Sequence, residues 1–115
     1  MAPGTICKVR KREKVFIHAV LFEIRPGEVK GYRKDSVMWA RYAKKHSRGF
    51  VSYHTMQRAD VKNQYVSIYK WKARNHHDVF MKEFHDFLVS KSRAKVKTLG
   101  YYNLKVMDKV LCRLS

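Results

Sequence analysis

Hydrophobic positions along the chain switch between two periods, and the switches predict six elements. Lys14 to Ile24 (KVFIHAVLFEI) alternates with period two, and both alternating sides are apolar. Val15, Ile17, Ala19 and Leu21 form one side; Phe16, Val20, Phe22 and Ile24 form the other. A strand of that kind is buried on both faces. Pro26-Gly27 then turns the chain, and from Glu28 to Ser47 the period becomes helical. At about 100° per residue, Val29, Tyr32, Ser36, Trp39, Ala40 and Ala43 share one core-facing arc. Glu28 suits the start of this helix by its charge, and Gly49 is a closing signal.

Phe50 to Gln57 and Gln64 to Trp71 return to strand composition, with RADVKN between them as a loop of hairpin length. Asn75 is the expected N-cap of a second helix reaching about Ser90, with Phe80, Phe84, Phe87 and Leu88 on one face. A final strand over about Leu99 to Val110 completes the order β-α-β-β-α-β. That order predicts an α+β, ferredoxin-like fold: a four-stranded antiparallel sheet with two helices on one face. Residues 14–115 form the single domain, and residues 1–13 a basic N-terminal arm. The second apolar side of the first strand is left without a cover. A homodimer packed sheet to sheet is the expected remedy.

Charge changes the picture. Opposite the apolar arc of the first helix, Lys30, Arg33, Lys34, Arg41, Lys44, Lys45 and Arg48 form a row with no carboxylate inside it. A merely soluble helix face mixes acidic residues with basic ones. Lys and Arg together number 26 against 9 Asp and Glu, a net charge of +17 on 115 residues. Self-repulsion of that size points to a polyanionic partner. Lys8, Arg10, Lys11 and Arg12 in the arm, and the alternating Lys91, Arg93, Lys95 and Lys97, extend the basic set. The leading expectation is contact with RNA phosphates, most plausibly rRNA within a ribosome, through these residues and Arg33, Lys34, Arg41, Lys44, Lys45 and Arg48.

No apolar run reaches the 18 or so residues of a membrane span, so no membrane association and a cytoplasmic location are expected. Cys7 and Cys112 lack metal-ligand spacing; they meet only if the termini are adjacent, and a reduced pair is the default expectation. Among His76, His77, Asp78, His85 and Asp86 no His pair stands at i,i+4, so no metal site is expected.

The catalytic alternative rests on polar tips along the strands. His18, alone among apolar neighbours, is the best candidate for a base beside aromatic walls; His54, Tyr53, Tyr69, Trp71 and Asn103 are the other strand residues able to line a pocket. A satisfied core histidine is the bland reading of His18. Glycine-rich phosphate loops and Ser-His-Asp signatures are missing from the sequence.

Four segments carry a family resemblance: Arg25-Pro26-Gly27, Gly49 to Tyr53 (GFVSY), Gln64 to Trp71 (QYVSIYKW) and His76 to Lys82 (HHDVFMK). In this order, and over roughly Val15 to Met107, the chain resembles the antibiotic biosynthesis monooxygenase (ABM) domain family. The resemblance implies a dimeric α+β barrel in which two sheets pack together. It also implies, as the alternative function, a monooxygenase that oxidises quinol-like aromatics without a cofactor. The haem-degrading members use an Asn, a Trp and a His at positions that correspond here to Val20, Phe80 and about Ser90, so haem degradation does not carry over.

Overall fold

The computed structural model describes residues 4–10 and 14–114. Lys11 and Arg12, part of the expected arm, lie outside the described residues. In chain order the elements are β1 (Thr5–Arg10), β2 (Phe16–Glu23), a single 3-10 turn (Pro26–Glu28), α1 (Val29–His46), β3 (Phe50–Gln57), β4 (Gln64–Trp71), α2 (Arg74–Lys91), β5 (Lys97–Lys105) and β6 (Lys109–Leu114).

β2 to β5 build an antiparallel four-stranded sheet in the order β3-β4-β2-β5. The fold is the ferredoxin-like α+β arrangement, with α1 and α2 packed on one sheet face. β2 is central because both of its faces are apolar. Pro26 opens the turn into α1, where a missing N–H is harmless. Asn63 takes a left-handed φ of 64° at the end of the β3–β4 loop, a conformation asparagine tolerates, and its carbonyl receives the Ile24 N–H at 2.8 Å.

The core lies where α1 and α2 converge over one end of the sheet. Phe16, Ala43, Trp71, Phe80 and Leu88 are buried together there, with Phe84, Tyr42 and Phe50 packed at their edge. At the other end Tyr32 and Ser36 are the buried members of α1.

Five local expectations need correction. Gly49 is not a left-handed helix cap, since its φ is not positive; α1 ends at His46, and a Cβ at Gly49 would fall on the His76 ring. Asn75 is not the N-cap of α2, which begins at Arg74 after Ala73 with no side-chain cap. The single last strand is two, because pairing is interrupted between Lys105 and Lys109. Finally, the described part of the arm is itself a strand: β1 pairs antiparallel with β6, Thr5 opposite Leu114. This register sets Cys7 directly against Cys112, with 4.0 Å between their Cα atoms, and the two form a disulfide rather than a reduced pair.

Candidate active site

Strand register decides which side chains face the helices, because directly opposed residues share a face. His18 stands opposite Tyr69 of β4 and Asn103 of β5, and Val20 opposite Ser67 and Tyr101. Tyr53 of β3 is opposite Tyr69. All lie on the face that α1 and α2 cover.

Between that face and the helices is a cavity of about 420 Å³, within the usual range of small-molecule sites. Val20, Phe22, Trp39, Met81, Val89 and Val96 make much of its wall apolar. One side is the segment between α2 and β5. The Asp35 carboxylate of α1 ties that segment down by accepting the backbone N–H groups of Arg93 at 3.0 Å and Ala94 at 2.9 Å. Trp39 Nε1 donates to Ser92 Oγ at 3.0 Å and fastens it a second time.

Four hydroxyls line the cavity as one network. Tyr32 Oη lies 2.6 Å from Ser67 Oγ; Tyr53 Oη lies 2.8 Å from Ser67 Oγ and 3.0 Å from Ser36 Oγ; Ser36 Oγ donates to the Tyr32 carbonyl at 2.8 Å. Burial pushes the Tyr32 phenol above its ordinary value, and burial together with the Tyr53 phenol pushes Tyr69 well above it. These phenols stay neutral at any ordinary pH.

His18 forms part of the wall, 6% exposed. Its Nδ1 lies 2.8 Å from Asn103 Oδ1. An amide oxygen only accepts, so the Nδ1–H is the donor and Nε2 keeps a free lone pair. Burial lowers the His18 pKa against the opposing pull of the Asn103 bond, so the ring is a neutral imidazole with base character at Nε2. That atom is shut from solvent and has no hydrogen-bond partner among the described residues; the same holds for His77 Nε2 and Trp71 Nε1. The His77 ring centroid is 4.4 Å from that of His18 and 5.8 Å from that of Trp71, and its Nδ1–H donates to Asp78 Oδ1 at 2.9 Å.

Solved structures with this arrangement of elements include oxygenases. SnoaB, a cofactor-independent oxygenase from Streptomyces nogalater, superposes with a TM-score of 0.68 at 15% identity, over 84% of this chain and 96% of that one. A candidate antibiotic biosynthesis monooxygenase from Nitrosomonas europaea gives 0.62 at 12% identity, covering 83% and 90%. A candidate monooxygenase from Shewanella loihica gives 0.64 at 9%, covering 81% and 94%. No family model matches the sequence, and no curated protein matches it. The fold is the one these oxygenases share.

On this fold the sequence-derived candidates divide. β2–β5 pairing brings His18 and Asn103 together, with Tyr53 and Tyr69 on the same face. His54 follows Tyr53 and so emerges on the opposite sheet face, exposed, away from the cavity. Trp71 shares the helix-covered face but is fully buried in the core beside Phe80 and does not line the cavity. Sequence reasoning passed over Ser36, Ser67 and Asp35. The two serines carried a signal, each being a hydroxyl within a core-facing stripe; Asp35 carried none, because its partners are backbone amides 58 and 59 residues away.

The basic residues divide by position. Arg33, Lys34, Arg41, Lys44, Lys45 and Arg48 are all exposed along the outer side of α1 and just beyond it. Arg93 is drawn to the first half of α1 by Asp35, which sets Lys91, Arg93, Lys95 and Lys97, all exposed, at that end of the sheet. Lys8 and Arg10 belong to β1, which precedes β2 at the opposite end. No helix is long and apolar enough to cross a membrane among the described residues.

Proposed function

We propose that the chain is an oxygenase of the cofactor-independent, ABM type that acts on aromatic hydroxyl compounds. The observation that carries this reading is the apolar cavity with a hydroxyl floor and a neutral imidazole in its wall, on a fold shared with SnoaB. A phenol with a free para C–H has balanced chemistry available with oxygen alone: phenol plus O2 gives the para-quinone plus water, both substrate hydrogens leaving in the water. Removing the phenolic proton first raises electron density in the ring and makes electron transfer to O2 easier. His18 Nε2 is the assigned base, held in the correct tautomer by Asn103. Catalytic hydrogen bonds of such a base are often long or poorly aligned in the free protein and tighten only in the complex.

Oxygen uptake with 1-naphthol tests the assignment. Consumption that matches quinone formation one for one and falls by about a hundredfold in His18→Ala supports it. No uptake with any hydroxylated fused-ring compound removes it.

A second reading, contact with RNA phosphates, is favoured by one observation: every cation of the α1 row is exposed, at +17 overall. The structural neighbours lend it no support. It uses the outer surface and is independent of the cavity. Filter binding to structured RNA at two salt concentrations tests it, because phosphate contacts must weaken steeply as salt rises. Binding that is absent at low salt ends it.

A further inference from the structure

The cavity has a closed end and an open one. His18, Tyr32, Ser36 and Ser67 line it and are buried, whereas Val89, Val96 and Tyr101 line it and are 51%, 39% and 65% exposed. Its mouth therefore lies between the end of α2 and β5. One lip of the mouth, from Lys91 to Thr98, alternates in character. Ser92, Ala94, Val96 and Thr98 line the cavity; Lys91, Arg93, Lys95 and Lys97 fall between them and are exposed. Extended backbone accounts for the pattern, because successive side chains then point to opposite sides. Ser92, at φ −72° and ψ 134°, begins it.

The four cations are not equivalent. Lys97 stands opposite Glu23 of β2, and the Lys91 ammonium lies 5.7 Å from the centre of the Phe87 ring. Arg93 and Lys95 have no carboxylate partner among the described residues. Asp35, the one carboxylate among the described residues that line the cavity, accepts the Arg93 and Ala94 amides. Asp86, outside the wall, accepts from His85 Nδ1 at 3.1 Å. Two uncommitted positive charges are thus held at the lip of a largely apolar cavity. Their backbone is fixed in place by the Asp35 carboxylate.

We infer that the site takes a fused-ring phenol carrying a carboxylate at the end remote from its hydroxyl, with the rings inside the cavity and the carboxylate in the mouth beside Arg93 and Lys95. Dimensions agree with this. β2 follows the cavity from His18 through Val20 to Phe22, a span of about 13 Å, and Phe22 stands opposite Thr98 of the lip. A hydroxyl near His18 and an anion at the lip are therefore separated by the length of two or three fused rings. A carboxylate drawn into the apolar interior would lose its hydration without replacement. In the mouth it keeps water and gains the attraction of two cations. This deepens the proposed oxygenase reading and rests on it, for the cations then set the direction of entry. The phenol end goes in first, towards His18.

Calorimetric titration under nitrogen with 6-hydroxy-2-naphthoic acid and its methyl ester tests the inference, since the two share rings and phenol and differ in charge. The acid is expected to bind about fivefold more tightly at low salt, the worth of an exposed ion pair, and the difference to shrink as salt rises. A net charge of +17 attracts any anion, so two variants with the same loss of charge are compared. Arg93→Gln with Lys95→Gln is expected to abolish the preference for the acid and leave the ester's affinity unchanged. Lys44→Gln with Lys45→Gln, on the outer side of α1, is expected to leave the preference in place. A far-ultraviolet circular dichroism melt confirms the fold of each. Acid binding no tighter than ester binding in the native chain, or a preference lost equally in both variants, overturns the inference and leaves the oxygenase reading standing. No binding of either compound overturns both.

Discussion

The ionisation of His18 is set by the groups packed around it. The groups facing it are Tyr69 from β4, Tyr101 and Asn103 from β5, and His77 with its partner Asp78 from α2. Burial is the dominant influence and lowers the pKa from 6.5; the His77 ring acts in the same direction, and Asn103 and Asp78 oppose. The folded state therefore binds fewer protons at this site than the unfolded chain just below pH 6.5, so its contribution to stability is complete above that value. It is lost as pH falls through the lowered folded value. Denaturant midpoints at about pH 7.5 and about pH 5 should thus fall for the native chain, and fall less for His18→Gln. A midpoint that rises on acidification would contradict the assignment of a neutral buried ring. The same sign governs catalysis, because a base works only when unprotonated: the acid limb of kcat/KM is expected below pH 6.5.

Among the elements, the segment between α2 and β5 depends on one residue of α1. Its Arg93 and Ala94 amides have the Asp35 carboxylate as partner, and it closes one side of the cavity. Asp35→Ala is expected to cost about 1 kcal/mol and to speed amide exchange at Arg93 and Ala94 well beyond that of the strands. Uniform acceleration throughout the chain would mean that Asp35 supports the whole fold instead. At the start of β3, Gly49→Ala should destabilise by about 1–3 kcal/mol through overpacking, because the new methyl group meets the His76 ring. A thermal melt measures it, and a neutral result would show that His76 can swing aside. Both sites mark the limit of what the sequence makes legible. β2, β3, β4 and both helices follow from the period of their apolar residues, since each element buries one face or two. Gly49 and Asn75 carry the right residue types for caps, yet neither acts as one: the true requirements are a close approach to His76 and a helix start at Arg74. The β1–β6 pair was also hidden, because its residues are exposed throughout and leave no burial pattern to read. The cavity was legible in part, through His18, Asn103, Tyr53 and Tyr69. Its hydroxyl chain was not, for it depends on four residues from three elements arriving within hydrogen-bonding distance.

At the scale of the molecule, the sheet face away from the helices remains apolar. Ile17, Leu21 and Ile68 lie along its centre, with Met56, Tyr102 and Leu104 each about half exposed around them. The two-sided pattern of β2 anticipated this face, and a second copy is the occupant it fits: identical apolar patches are self-complementary about a two-fold axis. Each copy brings a charge of +17, so association opposes a Coulomb repulsion that salt screens. This fixes a sign. Added salt should tighten a sheet-to-sheet dimer, and it should weaken any complex with a polyanion. Sedimentation equilibrium at low and high salt therefore distinguishes the two surfaces in one experiment. The expected outcome is a dimer whose dissociation constant falls as salt rises, and a monomer in Leu104→Glu, where a carboxylate is forced into the contact. His18 lies on the other side of the sheet, so binding of 1-naphthol should survive in that variant. A native chain that sediments as a monomer at every salt concentration removes the dimer, and leaves the apolar face to a partner of another kind.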